Sequence, residues 1–380
     1  MRILHFVDSG GFYGAEAVLL GLATEHLRLG HAASIVSIGN PSSGEKALER
    51  EARKRGVPVH AVRMADGLNI RGGLRLAELA RRENADIVHT HGYKPNILLG
   101  ILPRRLRPAP MVATVHGYTH STGFDRMRVY EWLDVHALRR FDRVVFVHSG
   151  MRTIPGLSRL DDRRVRVIEN GLPNREQAGP SEHDARLASF CTGPVIGAVG
   201  RLSPEKGFDR LIEAFSRAVA AGSHAKLAIL GDGPERSALE ESVRARGLSD
   251  RVLMPGFVDA TSHLSLFTVF AVSSLTEGLP ISLLEAMRAG VPVVATRVGA
   301  IPSIIGAECG VLVDTNDVAG LADALLRVLK DTSLATTISQ AALVKVREYS
   351  VSRMAARYLA AYEELTACKV PSPYPMTAGL

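Results

Sequence analysis

Two glutamates that bracket a short turn in the second half of the chain have a spacing suited to binding hydroxyl groups. Glu277 stands directly before Gly278, and Glu285 follows eight positions after Glu277 among leucine, alanine and methionine residues. An ionised carboxylate accepts strong hydrogen bonds from hydroxyls, and a carboxylate with apolar neighbours needs such a partner. Two solvated surface glutamates are the alternative, but the apolar surroundings of Glu285 favour the binding of sugar and ribose hydroxyls.

The sequence around this turn predicts a strand, a tight turn and the N-terminus of a helix. The apolar run 269–273 is typical of a buried strand, and Pro280 suits the first turn of a helix, where a missing N–H costs least. Gly290 is predicted to end that helix, and Pro292 to open the next strand. Because a helix N-terminus presents unpaired backbone N–H groups, the turn is also expected to attract an anion.

Two cations lie on a second turn of the same predicted kind. Arg201 and Lys206 stand on a glycine-flanked loop, residues 200–207, between an apolar strand at 195–199 and a helix. Arginine offers a forked contact and lysine a point charge, and together they suit a diphosphate. Two ordinary surface cations are the alternative; it is weakened because Glu205 is the only acid close to them in the sequence.

Histidines follow two apolar strands in the first half of the chain, at positions 89, 91, 116 and 120. No carboxylate or cysteine stands beside them at ligand spacing and there is no HExxH motif, so we expect no metal site. A neutral imidazole that orients a substrate hydroxyl fits better, and His116 is the best candidate because Gly117 leaves room beside it. For His89, a buried histidine satisfied by backbone groups is the alternative.

The elements that position these residues predict an α/β protein of two domains. At 380 residues the chain is too long for one typical core, and short apolar strands alternate with helical patterns in both halves. The aperiodic stretch 173–180 marks a linker, which gives domains of residues 1–178 and 179–350. An amphipathic helix over 351–367 ends the fold, and the proline-rich residues 368–380 are predicted to be disordered. Ligands of parallel sheets bind beyond the carboxyl ends of the strands, where the turns above are placed.

Composition excludes several classes of protein. Three cysteines, odd in number and far apart, favour a reducing compartment, and no apolar run approaches the ~20 residues that a bilayer requires. The opening residues turn polar too soon for a signal peptide. Residues 1–178 hold 27 Lys and Arg against 18 Asp and Glu, a net +9, whereas residues 179–380 carry −2. The basic half could bind an anionic membrane or an acidic acceptor, and an ordinary solvated surface is the alternative. Because aromatic residues are few, nucleic-acid binding is not expected.

Taken together, the motifs resemble family 4 glycosyltransferases, the retaining enzymes of the GT-B superfamily. Four of them occur in that family's order: residues 200–207, 231–234, 256–257, and Glu277 with Glu285 after seven intervening residues. The resemblance covers nearly all of residues 1–365. It implies two Rossmann-like domains facing each other across a cleft, the donor side in the second and the acceptor side in the first. It also implies that the last helix crosses back to the N-terminal domain.

The resemblance assigns roles to five side chains. Arg201 and Lys206 would hold the diphosphate and stabilise it as it departs. Glu277 would contact the donor sugar near its reacting face, Glu285 would bind the ribose hydroxyls, and His116 would hydrogen-bond the donor sugar. The residue types indicate the same roles independently, because cations suit a diphosphate and carboxylates suit hydroxyl groups.

The resemblance also assigns contacts to backbone and small residues. Gly14 would let the first loop approach the phosphates, and Val258 would lie near the base. The segment after Glu277 would hold hydroxyls and phosphate; it comprises Gly278, Leu279, Pro280 and Ile281. No DxD motif occurs, and cations with a helix N-terminus can neutralise the leaving group, so neither a metal nor another cofactor is expected. The family often has Asp after Asn-Gly-Val, but residues 169–174 lack it, which bears on the interdomain contacts.

The expected function is transfer of a sugar from a UDP- or GDP-sugar to a hydroxyl acceptor, with retained anomeric configuration. By analogy we expect cell-surface polysaccharide or glycolipid synthesis, with a lipid-linked acceptor, in the cytoplasm at the inner face of the membrane. Two alternatives remain: an epimerase or phosphorylase of the same fold, and a nucleotide-sugar binding protein without activity. Pyridoxal phosphate on a lysine would identify a phosphorylase, and donor binding without turnover would identify a sensor.

Overall fold

The computed structural model describes residues 1–65, 67, 69–117, 126–173 and 184–367. The predicted boundary between residues 178 and 179 and the predicted disorder of residues 368–380 lie outside this part of the chain. Within it, two separate parallel sheets form, one from each half of the sequence.

The first sheet has seven parallel strands in the order β3-β2-β1-β4-β5-β6-β7. Its strands are β1 (Arg2–Val7), β2 (Ala32–Gly39), β3 (Val59–Arg63), β4 (Ile87–His91), β5 (Met111–Val115), β6 (Arg143–Phe146) and β7 (Val165–Val167). The helices between them are α1 (Gly14–Arg28), α2 (Ala47–Lys54), α3 (Ile70–Arg82), α4 (Tyr93–Gly100) and α5 (Arg126–Leu138). The strand order reverses between β1 and β4, the point at which such sheets bind ligands.

Burial explains which strands the sequence revealed. All residues of β4 and β5 are buried; β5 is an almost continuous apolar run, and β4 begins with the apolar pair Ile87 and Val88. β3 lies at the sheet edge, and its residues are half-buried or exposed. Its mixed sequence of valine, histidine, alanine and arginine carries no buried-strand signal, which is why this strand was not predicted.

The second sheet has six parallel strands in the order β10-β9-β8-β11-β12-β13. Its strands are β8 (Val195–Val199), β9 (Lys226–Leu230), β10 (Val252–Gly256), β11 (Val269–Val272), β12 (Val293–Thr296) and β13 (Val311–Val313). Its helices are α6 (Ala185–Phe190), α7 (Phe208–Ala220), α8 (Arg236–Ala245), α9 (Ala260–His263), α10 (Ile281–Arg288), α11 (Ile301–Ile305), α12 (Val318–Lys330) and α13 (Thr332–Lys345). The order reverses between β8 and β11, so the loops after these two strands flank the crevice.

The last helix, α14 (Val351–Ala367), leaves the second sheet and packs on α1 of the first. Two of its fully buried tyrosines bond to the first sheet. The Tyr358 hydroxyl lies 2.8 Å from Thr114 Oγ1, and the Tyr362 hydroxyl lies 2.7 Å from His89 Nδ1. The predicted crossing of the C-terminal helix is therefore confirmed.

The chain passes between the halves along two paired segments. Leu172 N–H donates to the Tyr349 carbonyl at 2.8 Å, and Val351 N–H donates to the Leu172 carbonyl at 2.9 Å. A Cβ on Gly171 would lie 2.3 Å from the Ser350 carbonyl oxygen, so only glycine fits between these segments. The segments around Leu172 and Ser350, where the chain passes between the two halves, are thus hydrogen-bonded to each other.

Candidate active site

The loop that carries Lys206 is fixed to the end of β11. Lys206 ends a short 3-10 turn, and Gly207 follows it with a φ of +60°. A Cβ on Gly207 would lie 2.3 Å from the Ser273 carbonyl oxygen, so a side chain is excluded here by space as well as by backbone conformation. Ser273 Oγ in turn donates to the Lys206 carbonyl at 2.9 Å. These contacts place the lysine against the turn that contains the first glutamate.

Lys206 and Glu277 form an ion pair at the centre of the site. Lys206 Nζ lies 2.6 Å from Glu277 Oε1, and Ser274 Oγ donates to the same oxygen at 2.7 Å. Glu205 is the only acid close to Lys206 in the sequence. In the structure, however, Glu205 does not pair with Lys206 and accepts a hydrogen bond from Ser203 Oγ. The true partner is 71 residues away because β8 and β11 are neighbours in the sheet.

The turn after Glu277 is packed between the two halves of the protein. A Cβ on Gly278 would lie 1.9 Å from the His116 carbonyl oxygen in the first half. On the other side, a Cβ on Gly299, whose φ is +53°, would lie 2.0 Å from the Glu277 carbonyl oxygen. Ala300 N–H donates to the Gly278 carbonyl at 2.9 Å. Position 278 therefore has to be glycine for this turn to pack so closely against the His116 carbonyl.

Two helix N-termini face each other beside this turn. α10 begins at Ile281 with Pro280 as its N-cap, so Pro280 lies one position before the first turn in which it was predicted. A Cβ on Gly14, the first residue of α1, would lie 3.5 Å from Ile281 Cγ1. The Leu279 carbonyl accepts a hydrogen bond from Asn170 Nδ2 at 3.3 Å. Convergent helix N-termini favour a negative charge between them.

Glu285 lies one turn further along α10 and titrates near neutrality. Burial raises the pKa of its half-buried carboxyl to about 7, and the charge of Asp259 adds to this shift. The hydrogen bond from Thr261 Oγ1 to Glu285 Oε1, at 3.2 Å, and the charge of Arg288 act in the opposite direction. The sequence indicated an acid in an apolar setting, and the structure adds Thr261 as its partner.

Arg201 reaches toward the first half from the loop after β8. Its guanidinium carbon lies 5.9 Å from the centre of the Tyr13 ring, within the range of a cation–π contact. Tyr13 caps α1, and its N–H donates to Glu16 Oε2 at 3.0 Å. Arg201 is exposed, so its charge faces the cleft rather than the core.

Val258 follows β10 at the same edge of the second sheet. It is half-buried against the core, and its neighbour Phe257 is 67% exposed. Gly256 ends the strand with a φ of +93°, which turns the chain at this edge. Val258, which the resemblance places near the base, lies three residues before Thr261, whose hydroxyl donates to Glu285.

Three histidines of the first half form a hydrogen-bonded chain that ends in the cleft. His116 Nε2 lies 3.2 Å from His91 Nδ1, and His91 Nε2 lies 3.2 Å from His5 Nδ1. Burial lowers the pKa of His116 to about 4 and holds the pKa of His5 and of His91 well below the usual value. These lowered pKa values favour the neutral ring at physiological pH, which is the form expected for His116 from the sequence.

His89 is satisfied by hydroxyl groups, where backbone partners were the alternative considered. Its Nε2 lies 2.8 Å from Thr114 Oγ1 and its Nδ1 lies 2.7 Å from the Tyr362 hydroxyl. Ring nitrogens of His5, His89 and His91 all lie within 4.8 Å of one another, close enough to share a metal ion. Because both nitrogens of His89 already contact hydroxyls, these side chains are arranged as a hydrogen-bonded network.

The structure brings the predicted residues to one cleft. Contacts within or across it connect Gly14, His116, Arg201, Lys206, Glu277, Gly278 and Ile281. Glu285 and Val258 lie toward the outer edge of the second sheet. The sequence missed partners that come from distant segments or carry common residue types: Tyr13, Thr261, Ser274 and His5. Of these, only Ser274 lay inside the motif, three residues before Glu277.

Comparison with protein-family models divides the chain into the same two halves as the two sheets. The family model described as Glycosyltransferase Family 4 matches residues 12–174, and the model described as Glycosyl transferases group 1 matches residues 193–331. The two matched regions correspond to the two sheets.

Individual relatives are similar over most of their length. The chain is 31% identical over 338 residues to the 2-deoxystreptamine N-acetyl-D-glucosaminyltransferase of Streptomyces fradiae, covering 81% of this chain and 80% of that one. It is 30% identical over 273 residues to the UDP-Gal:alpha-D-GlcNAc-diphosphoundecaprenol alpha-1,3-galactosyltransferase of Escherichia coli, covering 68% and 70%. Among solved structures, Anabaena Alr3699/HepE in complex with UDP and glucose superposes with a TM-score of 0.83 at 20% identity, covering 96% and 100%. That likeness establishes the fold.

Proposed function

The chain belongs to glycosyltransferase family 4 and has its GT-B fold, and from that premise we propose that it transfers a hexosyl unit from a UDP- or GDP-sugar to a hydroxyl acceptor with retained configuration. The observation that carries the proposal is the Lys206–Glu277 pair beside two facing helix N-termini. This arrangement offers positive charge for a diphosphate and a carboxylate for a sugar in one place.

The positive groups would stabilise the leaving diphosphate. When the bond between the sugar and the diphosphate breaks, negative charge develops on the departing phosphate oxygen. Lys206, Arg201 and the N-terminus of α10 are fixed in place before the reaction, so they stabilise that charge without reorganising. Under this proposal the protein supplies by itself the charge that a divalent ion supplies in other transferases, and transfer needs no metal.

Glu277 would hold the donor sugar beside its reacting carbon. Its Oε1 is occupied by Lys206 and Ser274, whereas its Oε2 accepts no hydrogen bond from the described residues. That oxygen is available to a sugar hydroxyl. For transfer with retained configuration, the acceptor hydroxyl has to approach the sugar from the face that the diphosphate leaves.

Glu285 would recognise the ribose. A carboxylate accepts hydrogen bonds from two neighbouring hydroxyls, and Glu285 lies on α10 beyond the diphosphate position, on the side of Val258 and Thr261. With a pKa of about 7, the carboxyl is partly ionised at neutral pH, and only its ionised form accepts from both hydroxyls.

The first half offers a surface for an anionic membrane, where a lipid-linked acceptor would be met. On α3, Ile70 is 60% and Leu74 is 40% exposed, with the exposed Arg71 and Arg75 one position after each. On α5, which packs beside α4 next to α3, Trp132 is 60% exposed. Exposed apolar groups flanked by arginines suit peripheral binding to anionic lipid. We therefore place the enzyme at the cytoplasmic face of a membrane in this proposal.

Such binding would be peripheral. None of the helices in the described part of the chain combines the length and the apolar character that crossing a bilayer requires.

A panel of UDP-, GDP- and ADP-sugars tests the proposed reaction. The purified protein is incubated with each donor and a mixture of hydroxyl acceptors, in the presence and absence of EDTA. We expect release of UDP or GDP that EDTA does not reduce, and a product whose anomeric proton coupling matches that of the donor sugar. Inverted configuration, or activity lost in EDTA and restored by a divalent ion, would refute the corresponding part of the proposal.

A further inference from the structure

Three short segments of the first half place many arginines along one edge of its sheet. Residues 103–107, 138–143 and 159–166 hold ten arginines against three aspartates, a net charge of +7. The three segments connect helical turns to the starts of β5, β6 and β7. They therefore lie at the amino-terminal edge of the sheet, opposite the edge at which the cleft is built.

Part of this charge serves the helix end beside it. Arg140 Nη1 donates to the Ile101 carbonyl at 3.3 Å, and Arg107 Nε donates to the Leu102 carbonyl at 3.3 Å. Both carbonyls directly follow α4, and the C-terminus of a helix favours cations. Burial and the charges of three neighbouring arginines lower the pKa of Arg107, although Asp142 acts against this shift. The fold thus holds arginines together that repel one another.

The acids at this edge are already occupied. Asp142 accepts from the first backbone N–H of β5 at 2.8 Å, and Asp161 accepts from a backbone N–H of its own loop at 3.0 Å. Asp162 pairs with Arg152, and Glu364 of α14 pairs with two further arginines at 2.7 and 2.8 Å. These carboxylates therefore neutralise only some of the ten arginines.

Three of the arginines surround a surface cavity of about 240 Å³ between the end of α5 and the starts of β6 and β7. Its polar lining consists of Arg139, Arg159, Arg164 and Asp161, and the other lining residues are apolar. Arg164 donates to the Arg139 carbonyl at 3.1 Å and lies 3.9 Å from Asp161. The side chains of Arg139 and Arg159 are exposed and form no hydrogen bond or ion pair with the described residues. Two guanidinium groups of the lining thus have no counter-ion in this part of the chain.

The chemistry of the lining suits a phosphate group. Three arginines against one aspartate give the cavity a net charge of +2. Guanidinium groups present paired N–H donors that match the oxygens of a phosphate. The cavity has room for several water molecules, and hence for one tetrahedral phosphate.

The exposed face of α5 connects this cavity to apolar side chains. Val129, Trp132, His136 and Arg139 follow one another at helical spacing on one face, with Val129 55% and Trp132 60% exposed. The rings of Trp132 and His136 lie 4.1 Å apart. Through α4, this face continues the surface of α3. Apolar groups beside a cluster of cations suit the boundary of an anionic membrane, where the cations meet the headgroups.

We infer that the cavity between Arg139, Arg159 and Arg164 binds the phosphate group of an anionic lipid headgroup, while Val129 and Trp132 enter the lipid interface. The lipid as the source of the phosphate rests on the peripheral membrane binding in the proposed function and does not depend on the sugar transfer. Because the cavity lies at the sheet edge opposite the cleft, the lipid bound there is an anchor and not the acceptor.

Fluorescence of the single tryptophan of the chain measures this contact. Entry of Trp132 into vesicles of phosphatidylglycerol and phosphatidylcholine shifts its emission to shorter wavelength. We expect Arg139→Gln with Arg159→Gln to raise the vesicle concentration at half-maximal shift about tenfold or more. Arg104→Gln with Arg105→Gln is the matched control, expected to raise it about threefold or less. It removes the same charge from the same edge, outside the cavity, from exposed side chains that likewise lack partners among the described residues.

Equal weakening in the two double variants, or none in the cavity variant, overturns the cavity as a headgroup site. Competition with salts tests the phosphate chemistry. Sodium phosphate is expected to release the wild-type protein from the vesicles at lower ionic strength than sodium chloride does, and this difference is expected to vanish in the cavity variant. Equal release of the wild-type protein by the two salts overturns phosphate recognition.

Donor turnover without vesicles separates this site from the proposed transfer. We expect both double variants to turn over the donor at the wild-type rate, since the cavity lies away from the cleft. A fall of turnover confined to the cavity variant overturns the anchoring role. Loss of vesicle binding with turnover intact leaves the proposed sugar transfer untouched.

Discussion

Glu285 shows how a single residue can couple donor binding to pH. Its apolar setting was visible in the sequence, because leucine, alanine and methionine surround it on a predicted helix. The size and cause of the shift were not visible, since Thr261 and Asp259 come from a different segment of the chain. Burial raises the pKa of this carboxyl to about 7, so its ionisation changes within the range in which enzymes are assayed.

Affinity for a nucleotide sugar is expected to rise with pH through this group. The carboxyl is about one-tenth ionised at pH 6 and about nine-tenths at pH 8, so binding that needs the ionised form strengthens up to about tenfold. Calorimetry with a UDP- or GDP-sugar at both pH values measures this, because the diphosphate diester does not titrate there. Glu285→Gln is expected to bind weakly with no pH dependence. The same pH dependence in that variant would show that another group is responsible.

The secondary-structure elements were largely predictable, but their mutual contacts were not. Strands with apolar runs, such as β8 and β11, could be placed from sequence, whereas the half-exposed edge strand β3 with its mixed residues could not. The turn from β11 into α10 was predicted from Gly278 and Pro280. Its close approach to the loop after β5 was not, because no local pattern indicates that residue 116 meets residue 278.

A methyl group at position 278 is expected to disturb this contact. Its Cβ would lie 1.9 Å from the His116 carbonyl oxygen, and a backbone atom cannot move aside as a flexible side chain can. We expect Gly278→Ala to cost about 1–3 kcal/mol of unfolding free energy and to lower kcat/KM at least tenfold. Thermal unfolding and donor turnover measure the two effects.

Gly44→Ala is the matched control, because a Cβ on Gly44 meets nothing within 4 Å. Wild-type stability and turnover in Gly278→Ala would mean that the two halves can move apart at this point with no loss of unfolding free energy or activity. The close packing of the Gly278 turn against the His116 carbonyl would then not be needed for stability or turnover.

At the scale of the whole molecule, charge and exposed apolar groups concentrate in the first half. The net charge of +9 over residues 1–178 was evident from sequence, and so was the possibility of a plain solvated surface. The structure adds that Ile70 and Leu74 lie exposed on one face of α3, with arginines beside them. Sequence could not supply this, because exposure depends on which side of the helix packs on the sheet.

Vesicle flotation is expected to report this surface. The protein should float with vesicles of phosphatidylglycerol and phosphatidylcholine at low salt and be released at high salt, since screening weakens attraction to anionic lipid. The double variant Ile70→Ser with Leu74→Ser is expected to bind several-fold less, because it loses apolar area.

Val344→Ser is the control, since Val344 is 66% exposed in the second half. Equal loss of binding in both variants, or equal binding of wild type to neutral vesicles, would contradict a membrane surface on α3.

The ion pair on which the proposed chemistry depends lies in the second half, beside the turn at Gly278 that meets the first half. The sequence identified Lys206 and Glu277 separately and assigned them to a diphosphate and a sugar. The structure joins them at 2.6 Å through neighbouring strands of the second sheet. One cation thus contacts the carboxylate proposed to hold the sugar and faces the position proposed for the leaving group.

Turnover of the preferred donor by Lys206→Ala, compared with Lys226→Ala, tests this central claim most directly. Lys226 begins β9 at the opposite end of the sheet from the cleft and bonds to the Phe190 carbonyl and Thr192 Oγ1. We predict that kcat falls by about 10²–10³ in Lys206→Ala, with the fold retained, and stays near wild type in Lys226→Ala. A kcat within about threefold of wild type in Lys206→Ala would contradict the account.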